Sequence, residues 1–322
     1  MKKKQIVGII IAAAVFVAVG ITGVASAAKA RESVSSGLSL AGGATSEPLS
    51  DYLGIIDISG EISEGSYDYF GNPAGYVQSI VLDEIEQMKN SERNKGILLL
   101  INSPGGTVYH SDEVYLALMD YKSETGRPIY AYSTETMASG AYYIGCAADE
   151  IFANRNATVG SIGVYVQTMN FKGLYDKLGI SGEYIRSGRN KAMGNQFDEL
   201  TEEQRAIYQS IVDECYDQFV GIVCDSRGYT RDELVPIADG RVYTAAQAVS
   251  NGIIDGIDVY DNYLEKCLDA LDVEVSYNPE TTSSSFMSLL SGLANAVPKS
   301  ETEAALKLAE NSESGVPMYY AQ

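Results

Sequence analysis

Gly96-Ile-Leu-Leu-Leu-Ile101 carries no polar side chain, and Asn102-Ser-Pro-Gly-Gly106 follows it at once. A strand with one wet face alternates apolar and polar residues, so an unbroken run closed by a turn signal predicts a strand covered on both faces. Outward from it the pattern repeats. Leu53–Ile58 reads as a second buried strand, and Val77, Ile80, Val81, Ile85 and Met88 recur at helical spacing between the two. Downstream, Val114, Ala117, Leu118 and Tyr121 form a helical stripe, Pro128–Ser133 a strand, and a helix pattern opens near Ser139 before a short strand at Glu150–Ala153. Strand and helix in alternation predict an α/β fold on a largely parallel sheet.

The second half is framed by helices. Thr201-Glu-Glu-Gln204 is a capping box that opens a long helix through Ile207, Ile211, Cys215, Phe219 and Ile222. Thr244 caps another that ends at Asn251-Gly252, and Glu183–Arg186 reads as a further strand. We expect a body over residues 51–280. A linker at Thr281–Ser285, a helix through Phe286, Leu289, Leu290, Leu293 and Val297, and a polar tail make up residues 281–322.

Ahead of the body, Ile6 to Ala28 is uncharged and follows Lys2, Lys3 and Lys4. Such a stretch is long enough to span the ~30 Å hydrocarbon core as a helix. Lysines before the span favour a cytoplasmic N-terminus. Residues 1–30 therefore read as a single-pass membrane anchor, with Ala25-Ser26-Ala27 leaving open a cleaved signal. Residues 31–50, with six serines and three glycines, read as a flexible tether to a body outside the membrane.

The 322 residues are 45% apolar and carry 43 acidic against 23 basic side chains. Four of the basic residues lie in the first thirty, so the body is more acidic still, and a nucleic-acid partner is excluded for want of a basic face. One histidine and four scattered cysteines leave no metal signature, and no cofactor or metal is expected. Cys146, Cys215, Cys224 and Cys267 read as small buried residues rather than bridges.

Chemistry in a parallel sheet gathers past the carboxyl ends of its strands. Ser103-Pro-Gly-Gly106 reads as a turn whose backbone amides can meet an oxyanion, or as a plain tight turn. Thr136-Met-Ala-Ser-Gly140 ends a strand and opens a helix, so Ser139 is either a nucleophile beside the Gly140 amide or an ordinary N-cap. A serine hydroxyl needs a base. His110, the only histidine, reads as a surface or cap residue. A lysine can serve when burial favours its neutral form, and Lys191, in Arg186-Ser-Gly-Arg-Asn-Lys191, is the candidate.

Together, Ile101–Gly106, Met137–Tyr143, Ala147–Asp149, Thr158–Val164, Ser187–Lys191, Arg241–Thr244 and Gly252–Asp255 resemble the signal peptide peptidase A family of membrane-bound serine proteases. The resemblance covers most of the body and implies a crotonase/Clp-like fold with repeated ββα-type units. It implies Ser139 as nucleophile, Lys191 as general base, Ser161 as the residue that orients the lysine, and the amides of Gly106 and Gly140 as the oxyanion hole. One copy of the motifs matches the family's short form. That form implies a homo-oligomeric ring whose sites take serine and lysine from different subunits, acting on remnant signal peptides. The tail beginning at Pro317 is a candidate occupant of such a site, in its own or a neighbouring subunit. A crotonase-like acyl-CoA enzyme and an inactive membrane-tethered scaffold of the same fold are the competing readings.

Overall fold

The computed structural model describes residues 47–67 and 73–279, and the backbone of 318–320. In chain order its elements are β1 (Tyr52–Ser59), β2 (Gly65–Tyr67), β3 (Pro73–Val77), α1 (Gln78–Asn90), β4 (Asn94–Ser103), β5 (Gly105–Thr107) and α2 (Val108–Thr125). There follow β6 (Ile129–Ala138), α3 (Gly140–Gly145), β7 (Glu150–Ala153), β8 (Thr158–Gly160), α4 (Lys172–Leu178), α5 (Glu202–Arg227) and α6 (Arg231–Leu234). β9 (Val242–Thr244), α7 (Ala245–Ser250), β10 (Gly256–Ile257), α8 (Tyr260–Leu271), β11 (Val275–Tyr277) and β12 (Met318–Tyr320) complete it.

The main sheet runs β10-β7-β6-β4-β1-β11 with every neighbour parallel, as the apolar runs predict. β8 joins the far end of β6 in parallel, and β9 pairs with β8 antiparallel. Parallel neighbours need crossovers, and α1, α2 and α3 supply them between β1, β4, β6 and β7. The larger core packs these helices and the second half of α5 on one face, with Ile56, Ile58, Leu99, Ile101, Val114, Tyr142 and Phe219 among its buried residues. On the other face α8 lays Tyr263 and Cys267 over Leu53, Leu98 and Tyr132. Each fully buried aliphatic or aromatic side chain contributes about 1.5–3 kcal/mol of transfer free energy.

The expected capping box at Thr201 forms, and the expected cap at Thr244 is a capping box too. Thr201 and Gln204 exchange side-chain and backbone bonds at the start of α5, and Thr244 and Gln247 do the same for α7. A third, Thr230 with Glu233, opens α6. Two expectations fail. Glu183–Arg186 is not a strand: among the described residues no strand lies beside it to take its backbone bonds, and all four residues are exposed. Gly105–Gly106 is not a simple turn but part of the extended strand β5, which leads without a break into α2.

No residue from 163 to 203 is buried. This stretch, with α4 at its centre, forms an arm. Its contacts are largely internal: Phe197 stacks on Tyr175 at 4.7 Å and meets Tyr184 edge-on, and Arg186 pairs with Asp198 at 3.0 Å. Tyr208 of α5 donates to the Met193 carbonyl at 3.2 Å, tying the arm to the first half of that helix. Phe171, Leu174, Leu178, Ile180 and Ile185 are left exposed, Ile185 completely.

Cys146 and Cys267 are buried, and desolvation pushes both thiols up to about 12. Cys215 and Cys224 are half-buried. No helix among the described residues is long and apolar enough to cross a membrane. The expected anchor, the tether up to residue 46 and the helix at 286–297 lie outside the described residues.

Candidate active site

β4 ends at Ser103, whose side chain is fully buried and accepts the Gly105 N–H at 3.1 Å. That bond turns the chain sharply at Gly105, which sits at φ 102°, a region open to glycine. β5 then runs against the segment at Ile62. The Ile62 N–H donates to the Gly105 carbonyl, and the Thr107 N–H donates to the Ile62 carbonyl, both at 2.9 Å. The approach is close enough that a Cβ at Gly106 would lie 1.8 Å from the Ile62 oxygen, so only glycine fits. Successive residues of a strand point their backbone groups to opposite edges. With Gly105 and Thr107 turned toward Ile62, Gly106 directs its N–H and carbonyl to the other edge. There β12 pairs antiparallel, with Tyr319 opposite Gly106, Met318 opposite Thr107 and Tyr320 opposite Gly105. The C-terminal tail of the same chain thus lies along β5 as an added strand.

β6 carries the neighbouring residue. Its last pairings, Thr136 with Thr158 and Ala138 with Gly160, hold it beside β8, and the Ser139 N–H donates to the Gly160 carbonyl at 2.7 Å. The chain reverses here into α3, which contacts β5. Ser139 sits at φ 54°, ψ −122°. Among the described residues only Ser139, Ser161 and Asp272 are non-glycine residues with positive φ. Asp272 is an ordinary left-handed helix C-cap. The other two are the serines singled out in the sequence, and such backbone costs about 1–3 kcal/mol unless its surroundings impose it.

The N-cap alternative for Ser139 does not hold. Its side chain makes no capping bond, and its buried Oγ has no hydrogen-bond partner among the described residues. A buried hydroxyl left without a partner costs about 1–3 kcal/mol, so a helix cap is a poor account of it. α3 is only six residues long, so its contribution is the Gly140 amide, which has no intrahelical partner, rather than a long dipole. Tyr142 donates to the Ile253 carbonyl at 2.7 Å and Tyr143 to Asp112 at 2.5 Å, which fixes α3 in the body. Ser161 is buried, and its N–H donates to the Arg241 carbonyl at 2.8 Å.

Gly106 on β5, Ser139 just past β6, Gly140 at the start of α3 and Ser161 just past β8 therefore lie on elements that pair with or contact one another. The described chain does not bring Lys191 to them. Lys191 is exposed on the arm, in a turn closed by its own N–H to the Gly188 carbonyl at 3.1 Å, and no bond joins it to Ser139 Oγ. His110 is not the missing base either, since its imidazole faces Thr107 and Glu64. Sequence reasoning overlooked Ile62, whose backbone orients Gly106. Nothing in a residue 44 positions upstream signals that contact.

The peptidase family S49 profile matches residues 121–274. An Enterococcus faecium protein provisionally named signal peptide peptidase SppA is 33% identical over 235 residues, which cover 70% of this chain and 67% of that one. Protease 4 of Haemophilus influenzae is 27% identical over 66% of this chain, and the chloroplastic serine protease SPPA of Arabidopsis thaliana 28% over 64%. The matched stretches span only 34% and 30% of those two proteins. With its strained serine beside a glycine strand that accepts an extended segment, the chain belongs to the signal peptide peptidase A family of serine peptidases, peptidase family S49.

Proposed function

We propose that this chain is a membrane-anchored endopeptidase that degrades remnant signal peptides outside the cytoplasm by a Ser139/Lys191 dyad. The observation that carries the reading is β12 on β5: the edge that bears the Gly106 amide accepts an extended segment as an antiparallel strand, next to the chain reversal at Ser139. A peptide substrate binds the same way, by strand addition, with its backbone held by β5.

In the proposed reaction, neutral Lys191 takes the Ser139 proton as Oγ attacks the peptide carbonyl. The amides of Gly106 and Gly140 hold the oxyanion, and Ser161 orients the lysine. Protonated Lys191 gives its proton to the leaving amine. Water then attacks the acyl-enzyme with Lys191 again as base, releasing the acid and restoring Ser139.

Lys191 reaches Ser139 from a neighbouring copy. The exposed apolar side chains of the arm support this, since a surface of that kind is ordinarily covered. Covering it removes Lys191 from water, which favours the neutral amine. A homo-oligomeric ring on a crotonase/Clp-like fold meets both needs. The β4–β5–α2 unit, with its short strand between long strand and helix, supports that fold. The uncharged stretch at Ile6–Ala28 supports an anchor with the body outside.

The test is cleavage of a synthetic signal-peptide fragment by the full chain in detergent micelles. Ser139→Ala and Lys191→Ala each reduce turnover by at least about 10³-fold. Wild-type rates in either variant remove that residue from the mechanism. Deleting Pro317–Gln322 lowers KM for the fragment if the tail competes for β5, and an unchanged KM removes that role.

A further inference from the structure

The single histidine is spent on neither catalysis nor plain solvation, although it lies three residues beyond β5. Thr107 N-caps α2 by accepting the His110 N–H at 3.2 Å, and the same Oγ1 lies 2.6 Å from His110 Nδ1. The other ring nitrogen, Nε2, lies 3.4 Å from Glu64 Oε2. Glu64 sits two residues past Ile62, the residue bonded to Gly105 and Thr107 along the inner edge of β5. The imidazole therefore closes a loop of contacts: β5 to Thr107 Oγ1, to the ring, to Glu64, and back through Ile62 to β5. Gln78, buried at the start of α1, braces the loop from behind. Its amide donates to the His110 carbonyl at 3.2 Å and to Glu113 at 2.7 Å, and its N–H to the Glu64 carbonyl at 3.2 Å.

We infer that His110 is a positioning residue for the proposed oxyanion hole, holding the Ile62–Glu64 segment against β5 so that the Gly106 amide keeps its aim at the outer edge. This rests on the protease reading above. Two backbone bonds and the burial of its own side chain hold Ile62 to the body, and His110 adds a side-chain link from Glu64 to Thr107. Thr107 is the residue next to Gly106, so a shift there reaches the oxyanion donor directly. A transition-state donor must be placed within a fraction of an ångström, and a misplacement of about 1 Å can cost about 10²-fold. Ground-state binding by strand addition is less demanding, because it is spread over several backbone bonds.

The titratable groups in contact with the ring are Glu64 from the Ile62 segment and Tyr109 from α2. The Tyr109 ring meets the imidazole edge-on at 5.1 Å, and its hydroxyl donates to Glu113 at 3.0 Å. With Nδ1 bare, the ring accepts from the Thr107 hydroxyl while its Nε2–H points to Glu64, so one tautomer serves both contacts.

The test compares His110→Ala, His110→Asn and His110→Gln in the fragment-cleavage assay, with Ser139→Ala alongside. Asparagine keeps a polar atom near Nδ1 and so the Thr107 contact, while glutamine reaches toward Glu64. We expect His110→Ala to lower kcat about tenfold with KM changed less than about twofold, and His110→Asn to recover most of the loss. Wild-type kcat in His110→Ala overturns the inference while leaving the protease reading intact. Turnover that survives in Ser139→Ala overturns that reading instead. A second measurement does not need activity. As the only histidine, His110 gives one ¹³Cε1 resonance in a labelled, deuterated chain. In Ser139→Ala lacking Pro317–Gln322, adding the fragment should move that resonance, because strand addition on β5 is felt through Thr107. An unmoved resonance under saturating fragment, with binding verified by fluorescence anisotropy, overturns the inference.

Discussion

The sheet body and the arm are built on opposite terms. From β1 to β8 the chain buries most of its large apolar side chains, and the backbone N–H and carbonyl of Ser139 are both bonded within the body. From residue 163 to 203 nothing is buried, seven large hydrophobic side chains stand exposed, and the lysine faces solvent. The body is finished by itself and the arm is not. In the proposed mechanism the hydroxyl that must be held still sits in the first, and the amine that must lose water sits in the second, where its burial would come from outside the chain.

That contrast breaks most sharply under subunit mixing. Ser139→Ala and Lys191→Ala, each inactive, should regain a measurable fraction of wild-type turnover when unfolded together and reassembled, a rise of at least about 10²-fold over either alone. No recovery would mean that serine and lysine serve one another within a chain. Next in size is the arm surface. Ile185→Asp, at a fully exposed side chain, should lower specific activity at least about tenfold and reduce the mass seen by light scattering, while the melting temperature of the body stays within about 2 °C. An assembled, active Ile185→Asp protein would assign the exposed side chains another role.

Within the body the effects turn to stability. Gly106→Ala meets the Ile62 carbonyl, and the strain should cost about 1–3 kcal/mol by denaturant titration and remove activity with it. Far from the site, Arg227 is bidentate on Asp255, at 2.7 and 3.0 Å, beside the Ile151 N–H at 2.8 Å. Burial alone would raise the Asp255 carboxyl, but Arg227 and the Ile151 amide hold it below its usual value. A carboxyl lowered by folding stabilises the fold above its unfolded pKa and loses that contribution as the pH falls through its folded one. Asp255→Asn should therefore destabilise at neutral pH, by about 1–2 kcal/mol given its partial exposure, and shrink the pH dependence below about 4. A variant with the same acid unfolding profile as wild type would show the pair to be neutral.

Much of the body was legible in the sequence because its signals are local. The apolar run at Gly96–Ile101 needs no partner to be read as a covered strand, and Thr201 and Thr244 announce their helices by a residue three positions on. The rest depends on distant chain. Two glycines have poor strand propensity, so β5 reads as a turn until Ile62 and the tail lie beside it. α8 was not anticipated: its apolar face exists to cover Tyr132 and Leu98, which lie more than a hundred residues earlier. Glu183–Arg186 looked like a strand because it mixes β-formers with charges, yet no strand among the described residues pairs with it. At the site, the residue types were readable and the conformations were not. Nothing in Met137–Tyr143 states that Ser139 adopts φ 54°.

That backbone angle has a thermodynamic sequel. A side chain is what makes the conformation expensive, so a glycine at 139 would relax there, and the gain of about 1–3 kcal/mol outweighs the roughly 0.5–1 kcal/mol that glycine's freer unfolded chain takes back. The protein stripped of its proposed nucleophile in this way should melt above the wild type. The hydroxyl is thus kept against the fold's own preference, and relaxed selection at this position would drift toward a sturdier, silent protein.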